Sequence, residues 1–574
     1  MKRLEVPMIL MSDYYKQSHA EQYPNGVTKL ISYATARMSR MPDDMFGDKL
    51  TVFGIQSYVK DFLIERFNET FFDVPLEEAM KFYNEVIGET FPIQYVNTHK
   101  FEELHKLGYL PVEVSCLPEG TRVPIRNAFT LPEGQCQVPF MSIVNTHPDF
   151  PWVTEFLESV TSSEIWYPMA IANQAYLYRK IVNKWFDKTG CDPKARKSAI
   201  SEFGFRGGKG SGAATLASAA FLTSFNKTAT IPAICYLNKY YNEPIKGGNI
   251  GSGMISTEHS VMCSNFAVDS ENSAEGVDIE SIFLKRLFTE IYPGGALSVV
   301  MDSYDYWANM LRCGEGELKD AIMARDGAVF FRGDSGDPVD IICGEPVVKF
   351  KDLDHRLMSR DTCRVFYAED EKCWYKLTKK DGNDLWVKCE DKPVEVMGTV
   401  ELLWNMFSGT ENEAGYKVLD SHVRAIYGDS ITPRRAELIY GRLAEKGFAA
   451  CNVALGAGSF STQCAETNNG RLLPFTRDSY GIAVKATWCA NENTGKEYQL
   501  FKNPKTDTGK FKKSQKGLIY VTKDENGDIV AYDNYDSKTL PAEGNLLQPI
   551  FRDGKMLKEV TLTEVRDRLH EGDF

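Results

Sequence analysis

Four apolar runs in the middle of the chain stop abruptly at acids, glycines or an arginine, and helix-period segments separate them. Val329-Phe-Phe331 runs into Arg332-Gly-Asp334-Ser-Gly-Asp337, residues 297–301 into Asp302-Ser-Tyr-Asp305, 423–427 into Gly428-Asp429-Ser430, and 452–455 into Gly456-Ala-Gly458-Ser459. Runs this apolar suit strands buried on both faces of a parallel sheet. Between them, residues 280–291 carry Ile282, Phe283, Leu287 and Ile291 at helical spacing, and Thr432-Pro433 opens a segment with Leu438, Ile439, Leu443 and a closing Gly447. Alternation of strand and helix predicts parallel strands with helical crossovers. In closed barrels of this build the reacting groups sit on loops after the strand carboxyl ends, so the four polar tips are expected at one mouth.

The tips suit an anionic sugar. Arg332 offers a planar fork to phosphate, while Asp334 and Asp337 can accept hydroxyls; a surface turn with a local ion pair reads equally well for one such stretch alone. Residues 202–213 place Gly207, Gly208, Gly210 and Gly212 before a small-residue helix expected over 213–225, with Arg206 and Lys209 adding charge where the helix start already favours anions. The glycine spacing is neither a P-loop nor a dinucleotide fingerprint. Phe203 and Phe205 are either core or a platform for a flat heterocycle. His259 follows a glycine-bearing stretch, Gly247 to Gly253, and Glu258 beside it can orient the imidazole. Of the two acids in the 302–305 tip, Asp302 is expected to be functional and Asp305 a helix cap.

With 574 residues the chain exceeds one ordinary core. We expect an α+β segment over 1–150, an α/β barrel over 151–484 interrupted by an inserted β-hairpin region at 343–422, and a β-rich segment over 485–574 that packs with the first. A helix is expected from Pro75 to Ile87 and another around Ile171 to Trp185. A formal charge of −13 argues against a general nucleic-acid binder, although 66 Lys and Arg leave enough for a local cationic pocket. Thirteen cysteines without C-x-x-C spacing and eight unclustered histidines suggest neither zinc nor a disulfide framework, and fit reduced thiols in the cytoplasm. No run of about 18 apolar residues exists, so no membrane span is expected.

Asp13-Tyr-Tyr-Lys16, Phe203-Gly-Phe-Arg206-Gly, Glu258-His259-Ser260, Asp302-Ser-Tyr-Asp305, Arg332-Gly-Asp334-Ser-Gly, Gly428-Asp429 and Thr476-Arg477-Asp478 stand in the order seen in nicotinamide phosphoribosyltransferases. The chain closely resembles that family from about residue 8 to its end. The resemblance implies an irregular (β/α) barrel of the type II phosphoribosyltransferase kind with a second, mostly-β domain from both chain ends. It implies transfer of phosphoribosyl from 5-phosphoribosyl 1-diphosphate (PRPP) to nicotinamide, in NAD salvage, by a head-to-tail homodimer with shared sites. By that analogy Phe203 and Tyr15 of the partner subunit sandwich the pyridine ring. Arg206, His259 and Arg332 meet the diphosphate and Asp334 the ribose. Gly428, Asp429, Gly458 and Arg477 surround the 5′-phosphate. His259 is the histidine phosphorylated by ATP, oriented by Asp302, and Mg²⁺ accompanies the diphosphate. The resemblance also places Ala229 where the family has an aspartate against the carboxamide, so discrimination against nicotinate is expected to be weaker. The segment 456–460 stands where the family has a longer glycine run. Two alternatives remain: the nicotinate enzyme, and a non-catalytic phosphoribosyl-ligand binding protein.

Overall fold

A computed structural model of the chain describes residues 6–574 other than 42–46, 93–97, 127, 129–130, 351–363, 381–382, 429–430, 468 and 503–514. Seven parallel strands form the central sheet: β1 Ile200–Glu202, β2 Lys227–Thr228, β3 Ile255–Ser256, β4 Leu297–Val300, β5 Val329–Gly333, β6 Val423–Tyr427 and β7 Val453–Ala457. Their order is β2-β1-β7-β6-β5-β4-β3. A parallel bridge from Lys227 to Ser252, in the segment entering β3, joins the two ends of that order and rolls the sheet into an irregular barrel. Each of the four predicted tips therefore does end a barrel strand. In β5 the residues facing the helices, Val329, Phe331 and Gly333, are buried, whereas Phe330 and Arg332 face inward and are only half-buried.

The crossovers are helical, as the alternation predicts, but two faces differ from the sequence spacing. In Ile279–Arg286 and the turn Leu287–Ile291 the buried residues are Phe283, Leu284, Leu287 and Phe288. Ile282 and Ile291 are 37% and 46% exposed. Ile282 lies in the α-helical part, one position before the buried Phe283 and Leu284, and only Ile291 lies in the second segment, which is wound as a π-helix with a wider turn. In Pro433–Glu445, capped by Thr432 accepting from Arg435 N, the buried side is Ala436, Ile439, Tyr440 and Leu443, and Leu438 is exposed.

Both chain ends build the second, antiparallel sheet. Its seven strands run in the order Lys496–Gln499, Ile482–Asn491, Lys29–Ala36, Pro139–Asn145, Val112–Cys116, Gln548–Arg552 and Lys555–Met556. The long helix Glu158–Lys188 packs on barrel helices and on Ile482–Asn491, so one continuous core joins sheet and barrel. The C-terminal helix Leu562–Leu569 docks on the barrel through Arg566, a buried guanidinium that donates to the carbonyls of Leu222, Phe225, Asn249 and Ile250.

The 343–422 region holds more than a hairpin. Cys373–Lys380 and Asn383–Cys389 do pair antiparallel, although their turn at 381–382 lies outside the described residues. They belong to a four-stranded sheet with Val348–Phe350 and Val365–Ala368, which has its own small core of Phe366, Ala368 and Cys373. The following helix Val394–Phe407 packs on Pro338–Cys343 and buries Leu402, Leu403 and Phe407 in the main core. That helix is the barrel crossover from β5 to β6, and the addition proper is the β piece before it.

Candidate active site at the barrel mouth

The loops after β4 and β5 are stitched together by Asp302. Met301 N continues the ladder to Arg332 O at 3.0 Å. Asp302 Oδ2 then accepts from Asp334 N at 3.1 Å and from the Ser335 hydroxyl at 2.6 Å. Asp302 Oδ1 is buried, has no hydrogen-bond partner among the described residues, and lies 3.7 Å from His259 Nε2. The same nitrogen is 3.7 Å from Asp334 Oδ2, and Asp334 Oδ2 is 3.9 Å from Arg332 Nη2. Arg332 Nη2 is steadied by Thr257 O at 3.1 Å, while its Nε is buried without a partner. The imidazole is 45% exposed and the Asp302 carboxylate 4%, so a ligand reaches the ring while the acid stays beneath it. Imidazole, guanidinium and two acids from distant segments thus meet at one opening.

Neighbouring expectations divide. Asp305 is a cap, accepting from Ala308 N at 3.0 Å. Asp337 is also a cap, accepting from Val339 N and Asp340 N, so of the two acids after β5 only Asp334 faces the histidine. Glu258 does not orient the imidazole: its carboxylate accepts the Ser260 hydroxyl, and the ring nitrogens instead meet Asp302, Asp334 and, 3.2 Å from Nδ1, Ser303 Oγ.

Phe203 follows β1 on the inward side, with its N–H on Ala457 O at 2.8 Å. Its ring lies against the backbone that ends β6 and β7. A Cβ on Gly456 would stand 2.5 Å from ring carbons of Phe203, and one on Gly428 3.0 Å, so only glycine leaves room for the ring at Gly456. Gly458 approaches Gly428 O, and Asp429 lies outside the described residues. Arg206 and Lys209 are exposed on the glycine-rich turn, which is held by Gln463 Nε2 donating to Gly207 O at 2.6 Å. The small-residue helix after it spans Ser211–Phe221. Ala229 is exposed beside Phe203, its N–H on Glu202 O at 2.8 Å. Glu202, to which the sequence reading gave no role, is fully buried. Its carboxylate accepts from Gly204 N and from the hydroxyls of Thr228 and Thr230, tying the turn that follows Phe203 to the segment carrying Ala229.

Tyr15 and Arg477 meet other neighbours within the chain. Tyr15 is 55% exposed and faces the His19 ring at 5.2 Å. The adjacent Lys16 is buried and anchored to Glu158 at 2.5 Å and Glu155 at 3.6 Å. The Arg477 side chain is 52% exposed, with Asp478 at 3.5 Å. Close by is Arg37, whose pKa burial and then the charge of Arg477 hold below the usual arginine value. Arg37 was missed by the sequence reading, although it follows the apolar strand Lys29–Ala36 as Arg332 follows its own. Among the described residues no group of three or more His, Cys, Asp or Glu could hold a metal, and no helix is long and apolar enough to cross a membrane.

Residues 198–539, which contain every barrel strand, match the model of the nicotinate phosphoribosyltransferase (NAPRTase) family. The chain belongs to that family. It is a phosphoribosyltransferase, and residues 7–114 also match the N-terminal domain of nicotinamide phosphoribosyltransferase. A protein named nicotinamide phosphoribosyltransferase from Acinetobacter baylyi is 34% identical over 565 residues, 97% of this chain and 96% of that one. One of the same name from Xanthomonas campestris pv. campestris is 27% identical over 570 residues, 97% of each. The crystal structure of human Nicotinic Acid Phosphoribosyltransferase aligns over 98% of this chain and 93% of that one at 14% identity, with a TM-score of 0.47.

Proposed function

We propose that this enzyme joins nicotinamide to PRPP, giving nicotinamide mononucleotide and diphosphate. The convergence of His259, Asp302, Arg332 and Asp334 at one barrel mouth carries the reading, and relatives of that name matching nearly the whole chain support it. In the reaction the pyridine nitrogen bonds to C1 of the ribose as the bond from C1 to the diphosphate oxygen breaks. Charge then develops on both sides: positive on the ribose, where Asp334 stands, and negative on the leaving group, where Arg332 and Arg206 supply donors. Phe203 gives the ring a flat wall set by the glycines behind it.

Further features complete the proposal. Tyr15 and Arg477, both exposed, and the half-buried Arg37 beside Arg477 are presented to a second copy, closing its ring site and its 5′-phosphate site in a homodimer. His259, exposed and backed by carboxylates, accepts a phosphoryl group from ATP, with ADP leaving, and so couples ATP hydrolysis to product formation. Asp302 Oδ1, which has no hydrogen-bond partner among the described residues, and Asp334 are the carboxylates that would hold Mg²⁺, which would supply charge to offset that of the diphosphate. Free thiols at the described cysteines suit a cytoplasmic enzyme of NAD salvage.

Turnover on nicotinamide and on nicotinate with one preparation tests the substrate. We expect nicotinamide mononucleotide as the favoured product. A preference for nicotinate of about tenfold or more in kcat/KM, a difference of roughly 1.4 kcal/mol in transition-state binding, contradicts it.

A further inference from the structure

Position 229 is alanine, so nothing acidic there accepts the amide N–H of nicotinamide, yet a different polar group stands on the same wall. Thr228 turns outward: its hydroxyl meets Ser218 of the helix Ser211–Phe221 at 2.9 Å and also donates to Glu202. Alternation along the strand then turns Lys227 and Ala229 inward, together with Ser201, which pairs with Lys227, and with Phe203. Lys227 is half-buried inside the barrel. Its ammonium donates to Ser252 Oγ at 2.7 Å, and among the described residues no carboxylate lies within ion-pair distance of it. Burial holds its pKa below the usual lysine value. An ammonium has three donors and a long flexible stem, and Ala229 lies two residues, about 6–7 Å, further towards the mouth. A further inward polar group, Ser298 Oγ on β4, is buried with no hydrogen-bond partner among the described residues.

We propose that Lys227 reads the 3-substituent of the pyridine by donating to its carbonyl oxygen, so that this site takes the acid as well as the amide. The inference rests on the phosphoribosyl-transfer reading above and places the ring against Phe203. An ammonium serves both bases, since the carboxamide and the carboxylate each present an oxygen. The ammonium makes both bonds charge-assisted; the ionised acid adds an ion-pair attraction but also loses more hydration on entry, and the two effects oppose each other. An aspartate at 229 would repel the acid; alanine does not.

The test is steady-state kinetics on both bases for the wild-type enzyme, Lys227→Met and Lys227→Arg, with melting curves to show that each variant is folded. Wild type is expected to use nicotinate with a kcat/KM within about tenfold of that for nicotinamide. Methionine removes the charge at similar volume. It should lower kcat/KM for nicotinate by about 10- to 100-fold, mainly through KM, the span for a hydrogen bond to a charged group, and that for nicotinamide by less, since the carboxamide loses no ion-pair attraction. Arginine, which keeps the charge, should retain most of the nicotinate activity. A folded Lys227→Met enzyme whose nicotinate-to-nicotinamide ratio stays within about twofold of wild type overturns the inference. So does a wild-type enzyme that turns over nicotinamide but rejects nicotinate by more than about 100-fold, which leaves the proposed function standing. Failure on both bases removes the proposed function and this inference with it.

Discussion

Arg332→Ala is expected to lower turnover from PRPP by about 10²–10³-fold, the usual effect of deleting one donor aimed at developing negative charge. The guanidinium leaves β5 where the strand stops, is steadied by Thr257 O at 3.1 Å, and points to Asp334 at 3.9 Å, so its fork is in place before any substrate arrives. As diphosphate departs, its oxygens gain charge that the paired N–H donors match, and alanine removes charge and fork together. Arg332→Lys separates the two: it restores a point charge without the planar pair and should recover only part of the rate. Measured kcat at saturating PRPP, beside melting curves for each variant, checks this. Wild-type steady-state rates in the alanine variant contradict the role.

His259→Ala should uncouple ATP from the reaction. Substrate-stimulated ATP hydrolysis is expected to fall by about 10²-fold or more, and the acid-labile phosphate label expected on the wild-type protein after incubation with γ-labelled ATP should be absent from the variant. The ring removed by this change lies 3.7 Å from both Asp302 and Asp334 while remaining open to a ligand. Arg332, Asp334 and Phe203 stay in place, so slow phosphoribosyl transfer without ATP should persist. Unchanged ATP-dependent product formation in the variant removes the histidine from the mechanism.

Much of the site was legible because strand ends announce themselves. An apolar run that halts at Arg332-Gly-Asp334 or at Asp302 cannot hide where the core stops, and parallel topology gathers such halts at one mouth. Caps were equally readable: Asp305 and Thr432 sit where an Asp or Thr precedes a helical period. Other features lay in properties the sequence does not display. Ile291 lies in a π-turn that its spacing from Leu287 does not reveal. The crossover helix Val394–Phe407 was hidden behind the β piece before it, because a long interval between strands reads as one insertion. Lys227 lies on a strand of two residues, too short to show a period, so its inward direction appears only once Thr228 is seen against Ser218. Arg37 and Arg477 converge from positions more than 400 residues apart, a pairing set by the antiparallel neighbours Lys29–Ala36 and Ile482–Asn491.

A crystal structure of the protein with nicotinamide mononucleotide and diphosphate tests the shared mouth most directly. The account predicts ribose hydroxyls within about 3 Å of Asp334, the pyridine ring flat on Phe203, and diphosphate between Arg332 and His259. A nucleotide bound elsewhere, with Asp334 and Phe203 untouched, contradicts it.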